Sequence, residues 1–159
     1  AEATKNYPLM EQLGRKIVAY SEKISGKESE TTATYTLNLA SALSNQDKSK
    51  DARPLFEQAL AAIEKSKDTD PGLLFHFLKE KADFHWKQKE FEQAVALKLR
   101  GWDVLAKKYD INQKVFAELA DDVAKVYKEL GKDKEAAQYL QKAAQIRENM
   151  KQNEGKSQP

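Results

Sequence analysis

The sequence repeats itself with a period of 42 residues, and this period restricts the fold more than any other feature of the chain. Three segments, which start at Ala33, Phe75 and Ala117, align without gaps. Small residues let two antiparallel helices approach to about 8–10 Å, while larger apolar residues on either side fill the space. The repeat therefore predicts stacked helix pairs. Its small residues form three columns: Ala40, Ala82 and Ala124; Ala52, Ala94 and Ala136; and Ala59, Gly101 and Ala143.

Apolar residues around these columns recur at helical spacing, which gives each helix one apolar stripe. With 6 glycines and 4 prolines in 159 residues, the composition also favours helix. The segments SGKESE, KDTDPG and YDIN read as loops, and Asp70-Pro71-Gly72 is a strong turn signal before a helix. We therefore predict an all-α chain of about seven helices, near residues 7–25, 32–46, 50–67, 72–88, 91–109, 113–131 and 134–151.

The length of the chain favours a single domain over residues 1–159. The repeats assigned to it cover 33–66, 75–108 and 117–150. Shifting the repeat upstream by one more period makes 7–25 a lone second helix, or half repeat. The polar residues 151–159 are expected to form a disordered tail.

The third segment carries Tyr127, Gly131, Ala136, Leu140 and Ala143 in the order typical of one repeat family. On these residues the chain resembles the tetratricopeptide repeat, although its period exceeds the usual length of about 34 residues. The long period resembles that of the kinesin light chain group. The resemblance implies a right-handed α-solenoid of antiparallel helix pairs. The residues that carry it in the first segment are Asn38, Ala52, Pro54, Leu55 and Phe56.

The resemblance also implies that the first helix of each pair lines a concave groove that holds another protein or a peptide. Lys79, Asp83 and Trp86 lie four and three residues apart, so a charge pair and a large aromatic ring share one helix face. Two alternatives stay open, namely that Trp86 packs against the neighbouring repeat and that Lys79 and Asp83 form an ordinary surface pair. The predicted groove residues are Asn38, Ser41, Asn45, His76, Lys79, Asp83, Trp86, Asp122 and Lys125.

The second repeat departs from the family pattern at Lys81, Lys98 and Trp102, where small or aliphatic residues are usual. Irregular packing or a special surface is expected there. Trp102 with Arg100 and Lys98 is consistent with a convex patch or an oligomer contact, but core filling opposite Gly101 is the favoured interpretation.

The charge distribution argues against nucleic-acid binding. The 27 basic and 25 acidic side chains leave a net charge of +2, and the only arginines are Arg15, Arg53, Arg100 and Arg147. No apolar run approaches the roughly 20 residues of a membrane-spanning helix. The absence of cysteine excludes thiolate chemistry but fits a reducing or an oxidising compartment. A start at Ala1 fits a trimmed chain in the cytoplasm as well as a periplasmic or secreted chain after signal cleavage.

We therefore predict a non-catalytic scaffold or adaptor, with no cofactor and no metal, that binds a protein or peptide. One alternative is a self-assembling repeat protein, a homo-oligomer, because the opening half repeat leaves an apolar edge. The other alternative is a metal-dependent or hydrolytic enzyme that uses His76 and His85 with Glu80 and Asp83. This enzyme is disfavoured because the two histidines lie nine residues apart and no phosphate loop or nucleophile motif accompanies them.

Overall fold

The structure, a computed structural model, describes residues 7–66 and 68–156, with side chains over 9–66 and 68–153. All regular secondary structure in these residues is helical, with no strand among them. None of the described helices is long and apolar enough to cross a membrane. The helices are α1 (Tyr7–Ser25), α2 (Glu30–Ser44), α3 (Ser49–Lys65), α4 (Pro71–Lys87), α5 (Phe91–Ala106), α6 (Lys114–Glu129) and α7 (Asp133–Lys156).

The seven predicted helices are confirmed, and their ends lie within three residues of the prediction except at the end of α7. That helix continues to Lys156, so the expectation of a disordered tail over 151–159 is wrong for its first six residues. Helix propagation is cooperative, and the polar sequence before Gly155 contains no residue that stops it. Side-chain hydrogen bonds one turn apart, such as that from Gln152 to Glu148, accompany the extension. Residues 157–159 lie outside the described part.

The chain divides into two compact units, Ala1–Glu80 and Lys81–Pro159. In the first unit α2 packs against both α1 and α3. In the second unit α6 packs against both α5 and α7. Because α2 and α6 each pack between two other helices, their apolar residues are buried on two sides. The cores include Leu43, Phe56 and Ile63 in the first unit, and Phe84, Phe116 and Val123 in the second.

The small-residue columns lie in these cores, as the sequence predicted. All eight column alanines are at most 1% exposed, and Gly101 is buried. A side chain larger than methyl at these places would hold the helices apart, so the columns fix how closely each pair packs.

The 42-residue period is also visible in the backbone of the turns within each pair. Asp47, Lys89 and Gly131 adopt left-handed conformations, with φ of 59°, 60° and 68°. In each turn, the residue that follows the left-handed one donates a hydrogen bond from its backbone N–H to the carbonyl oxygen five residues before it. The bond from Lys132 to Tyr127, 2.9 Å long, is an example. This is the Schellman arrangement, in which a left-handed residue ends the helix and satisfies its last carbonyl groups. At Gly131 the absence of a side chain removes the steric cost of this conformation.

Candidate functional site

The predicted groove residues lie on α2, α4 and α6, which are the first helices of their pairs and are called the A helices below; α1, α3, α5 and α7 are the B helices. In the first unit, the Ser41 hydroxyl donates a 2.7 Å hydrogen bond to Glu80. Asn45 is exposed and forms the C-cap of α2. The side chain of Asn38 lies in a depression between α1 and α2. The Ser41 hydroxyl is therefore already engaged within the protein.

The part of α4 in the first unit carries His76 and Lys79. Both are exposed, and the His76 ring stands edge-on to Phe77, with 6.3 Å between the ring centroids. The Lys79 ammonium lies 3.9 Å from a carboxylate oxygen of Glu80. Both side chains are accessible to a ligand.

In the second unit, two predicted groove residues, Asp83 and Asp122, are joined by Lys98, which was not predicted to be part of the groove. Lys98 is a B-helix residue on α5, yet its side chain is only 5% exposed. Its ammonium group donates hydrogen bonds of 3.0 Å to Asp83 on α4 and 3.2 Å to Asp122 on α6. The two carboxylates are about half exposed, at 42% and 51%. Lys98 thus holds Asp83 and Asp122 in place on neighbouring A helices.

Lys98 was expected only as a departure from the family pattern, so this bridging position was missed. The signal was present: a lysine in a column of mostly apolar residues needs counter-charges when it is buried. The A helices supply acidic residues at Asp83 and Asp122. Since Lys98 is buried, it does not contribute to a convex patch with Trp102 and Arg100, and that alternative is wrong for Lys98.

Trp86 and Lys125 lie beside these carboxylates on the same two A helices. The Lys125 ammonium lies 4.8 Å from the centre of the Trp86 ring. The same ring packs edge-on against Phe91, with centroids 5.2 Å apart, and borders the cluster around Ala94 and Val123. Trp86 therefore both packs against its neighbours, as one alternative held, and keeps part of its surface exposed.

Trp102 packs edge-on against the buried Phe116 of α6, at 5.0 Å between centroids. This contact agrees with the favoured core-filling interpretation. The Lys142 ammonium lies 4.7 Å from the centre of the Trp102 ring.

The residues of the enzyme alternative have other contacts. His85 is buried, and its Nδ1 hydrogen-bonds to Glu90 across the turn between α4 and α5. His76 is exposed, and its ring stands edge-on to Phe77. Over the described residues, no three His, Asp or Glu side chains come together as a set of metal ligands.

A family model of the tetratricopeptide repeat matches residues 32–66 and 116–150. These stretches agree within one residue with the first and third predicted repeats, and their starts lie 84 residues apart, twice the period. No curated protein sequence matches the chain.

Among solved structures, the chain is similar to BtubC (BKLC) from P. vanneervenii, with a TM-score of 0.73 at 15% identity over 92% of this chain. It is also similar to a Podosopora anserina protein described as kinesin light chain nearly identical TPR-like repeats, with a TM-score of 0.80 at 20% identity over 90% of this chain. A singly substituted form of the latter protein gives the same values. The chain spans 59% of the P. vanneervenii chain and 68% of the other.

The helix pairs thus define the class of α-helical repeat proteins. Within that class, residues 32–66 and 116–150 match the tetratricopeptide repeat, and the fold of the chain is similar to that of kinesin light chain repeats. The predicted fold class is confirmed. This repeat is commonly a protein-interaction scaffold, and the family is generally non-catalytic.

Proposed function

We propose that the protein is a non-catalytic scaffold that binds a protein or peptide through the exposed faces of its A helices. The observation that carries this proposal is the arrangement of Asp83 and Asp122 around the buried Lys98, next to Trp86 and Lys125. We call the exposed surface of Asp83, Trp86, Asp122 and Lys125 the acidic–aromatic face.

The acidic–aromatic face suits a polypeptide ligand for three physical reasons. Its carboxylate oxygens accept hydrogen bonds, which a peptide offers through its backbone N–H groups. Because Lys98 fixes both carboxylates, little side-chain freedom is lost when a ligand binds. Trp86 adds a large aromatic surface of the kind that dominates binding energy in protein interfaces.

In the first unit, the exposed Asn45, His76 and Lys79 are proposed as further contacts on the A helices. They offer amide, imidazole and ammonium groups but lack an arrangement as closely linked as that around Lys98. We therefore expect them to adjust affinity, while the acidic–aromatic face provides most of it.

A selection from a random peptide library, displayed on phage, tests the proposal with the whole chain as bait. Selected peptides are then measured against three variants, Asp122→Asn, Lys125→Ala and Asp103→Asn. Asp103 is an exposed acid on the B helix α5 and serves as the matched control.

We expect Asp122→Asn and Lys125→Ala each to weaken binding about ten-fold, or ~1.4 kcal/mol, and Asp103→Asn to leave it unchanged. Circular dichroism shows whether the variants are folded. Equal binding by all four proteins, or no enrichment of any peptide by the wild type, would rule out the acidic–aromatic face as the binding site.

A further inference from the structure

One face of α1 carries apolar side chains that the described residues leave exposed. Met10, Leu13, Ile17, Tyr20 and Ile24 are between 44% and 68% exposed. They are spaced alternately by three and four residues, which is the spacing of a seam that packs against another helix. A stripe of five such residues on one helix is unusual for a surface that faces only water.

The stripe forms one wall of a groove, and α2 forms the other. Two adjoining depressions, of about 620 and 350 Å³, share Leu13, Ile17 and Tyr35 in their walls. Asn38 and Ala42 continue the α2 wall. We call this surface the α1–α2 groove.

The repeat itself shows what such a groove accommodates. One period along the chain, α1 corresponds to α3 and α2 corresponds to α4. The helix α2 packs closely against α3. The hydroxyl of Ser41 on α2 also donates a hydrogen bond to Glu80 of α4. An A helix therefore fills the equivalent position in the first unit.

Polar contacts at that filled position indicate the charge of the matching helix. Lys65, at the end of α3, forms an ion pair with Glu28, just before α2. Thr69 donates a 2.9 Å hydrogen bond to Glu30, the first residue of α2. One period earlier, Lys23 and Lys27 occupy the places of Lys65 and Thr69, and both are exposed.

We propose that the α1–α2 groove binds an amphipathic α-helix of a partner protein, which runs antiparallel to α1 and carries acidic residues in its first turn. Its apolar side chains cover the α1 stripe, and its acidic residues pair with Lys23 and Lys27. Asn38, which corresponds to Glu80, accepts a hydrogen bond from a hydroxyl on the bound helix. This site is separate from the acidic–aromatic face.

A second copy of the chain is a poorer occupant on electrostatic grounds. Lys16 and Lys23 are both exposed and lie seven residues apart on α1, so they flank the stripe on the same side. Two α1 helices packed antiparallel through this stripe would bring the lysines of one copy against those of the other. Lysines that are brought close together repel each other, whereas they attract the acidic residues of a partner helix.

The probe is a synthetic peptide of residues 28–46, the chain's own A helix, with a hydrocarbon staple between positions 31 and 35. The staple is needed because an isolated helix of this length is marginal in water. Binding to the whole chain is followed by fluorescence anisotropy. Two substitutions on α1 are compared, Ile17→Asp in the stripe and Ala19→Asp, which adds the same charge at an exposed position outside it.

We expect the peptide to bind the wild type and Ala19→Asp equally, and Ile17→Asp about ten-fold or more weakly, since a charge then faces an apolar surface. A peptide with Glu28→Lys and Glu30→Lys should bind weakly to the wild type and regain affinity for a Lys23→Glu/Lys27→Glu chain. Lys125→Ala should bind like the wild type, so failure here is distinguishable from failure of the acidic–aromatic face.

Light scattering on the same samples tests the rival occupant. We expect a monomer for the wild type. A dimer that Ile17→Asp dissociates would show that a second copy fills the groove and would overturn the proposal. Absence of peptide binding, or binding that Ile17→Asp does not weaken, would overturn it equally.

Discussion

The Lys98 ammonium donates a 3.0 Å hydrogen bond to Asp83, and this bond joins a buried B-helix side chain to the exposed face of an A helix. A second bond, 3.2 Å long, reaches Asp122 on the next A helix. A charge as buried as Lys98 is stable only when it is paired, so the two carboxylates are structural as well as accessible.

Asp83→Asn together with Asp122→Asn removes both counter-charges and leaves the buried ammonium unpaired. We expect the free energy of unfolding, measured with urea, to fall by about 3 kcal/mol. Each single substitution leaves one carboxylate and should cost less than half of this.

Adding Lys98→Met to the double variant is the control for this interpretation. Methionine has a similar shape and no charge, so most of the lost stability should return. If the double variant unfolds at the same urea concentration as the wild type, the carboxylates do not stabilise Lys98.

Much of the fold was predictable because its determinants are local or periodic. Ala40, Ala82 and Ala124 recur at one spacing, and their burial follows directly from helix packing. The turn at Gly131 follows from its freedom to adopt positive φ. These signals are visible in the one-dimensional sequence because each repeat encodes the same contact again.

The candidate site was predictable only in part. Asp83, Trp86, Asp122 and Lys125 were predicted as groove residues from their place on the A helices. The contact from Lys98 was missed because it joins three helices over 15 and 24 residues of sequence and occurs in one repeat only. A contact without a period leaves no recurring pattern in the sequence.

The small-residue columns predict a position-specific response to larger side chains. Ala143 is fully buried and its neighbour Ala144 is exposed on the same helix. Ala143→Leu should lower the free energy of unfolding by about 1–3 kcal/mol because the added carbons force α6 and α7 apart. Ala144→Leu should change it by less than about 0.5 kcal/mol. Equal effects of the two substitutions in urea unfolding would contradict the role assigned to the column.

The left-handed turns predict that substitutions at Lys89 and Gly131 change the free energy of unfolding in opposite directions. Lys89 has a φ of 60° without the freedom of glycine, so Lys89→Gly should raise the free energy of unfolding by about 0.5–1 kcal/mol. Gly131, with a φ of 68°, already has this freedom. Gly131→Ala should lower the free energy of unfolding by about 1 kcal/mol. Thermal unfolding of both variants checks the prediction, which is refuted if the two melting temperatures move in the same direction.

The contacts of Glu11 on α1 predict that the stability of the first unit depends on pH. A hydrogen bond from Lys48, which has the larger effect, and another from Arg15 hold the pKa of its carboxyl below the ordinary value of 4.5. Since the folded state favours the ionised form, this contribution is fully present above about pH 4.5 and is lost as the pH falls through the lowered pKa. Titration of Glu11 by NMR should give a pKa below 4.5 in the wild type and closer to it in Lys48→Met. High salt should narrow the difference because the pair is exposed to solvent. An unchanged pKa in Lys48→Met would show that the contact with Lys48 does not hold in solution.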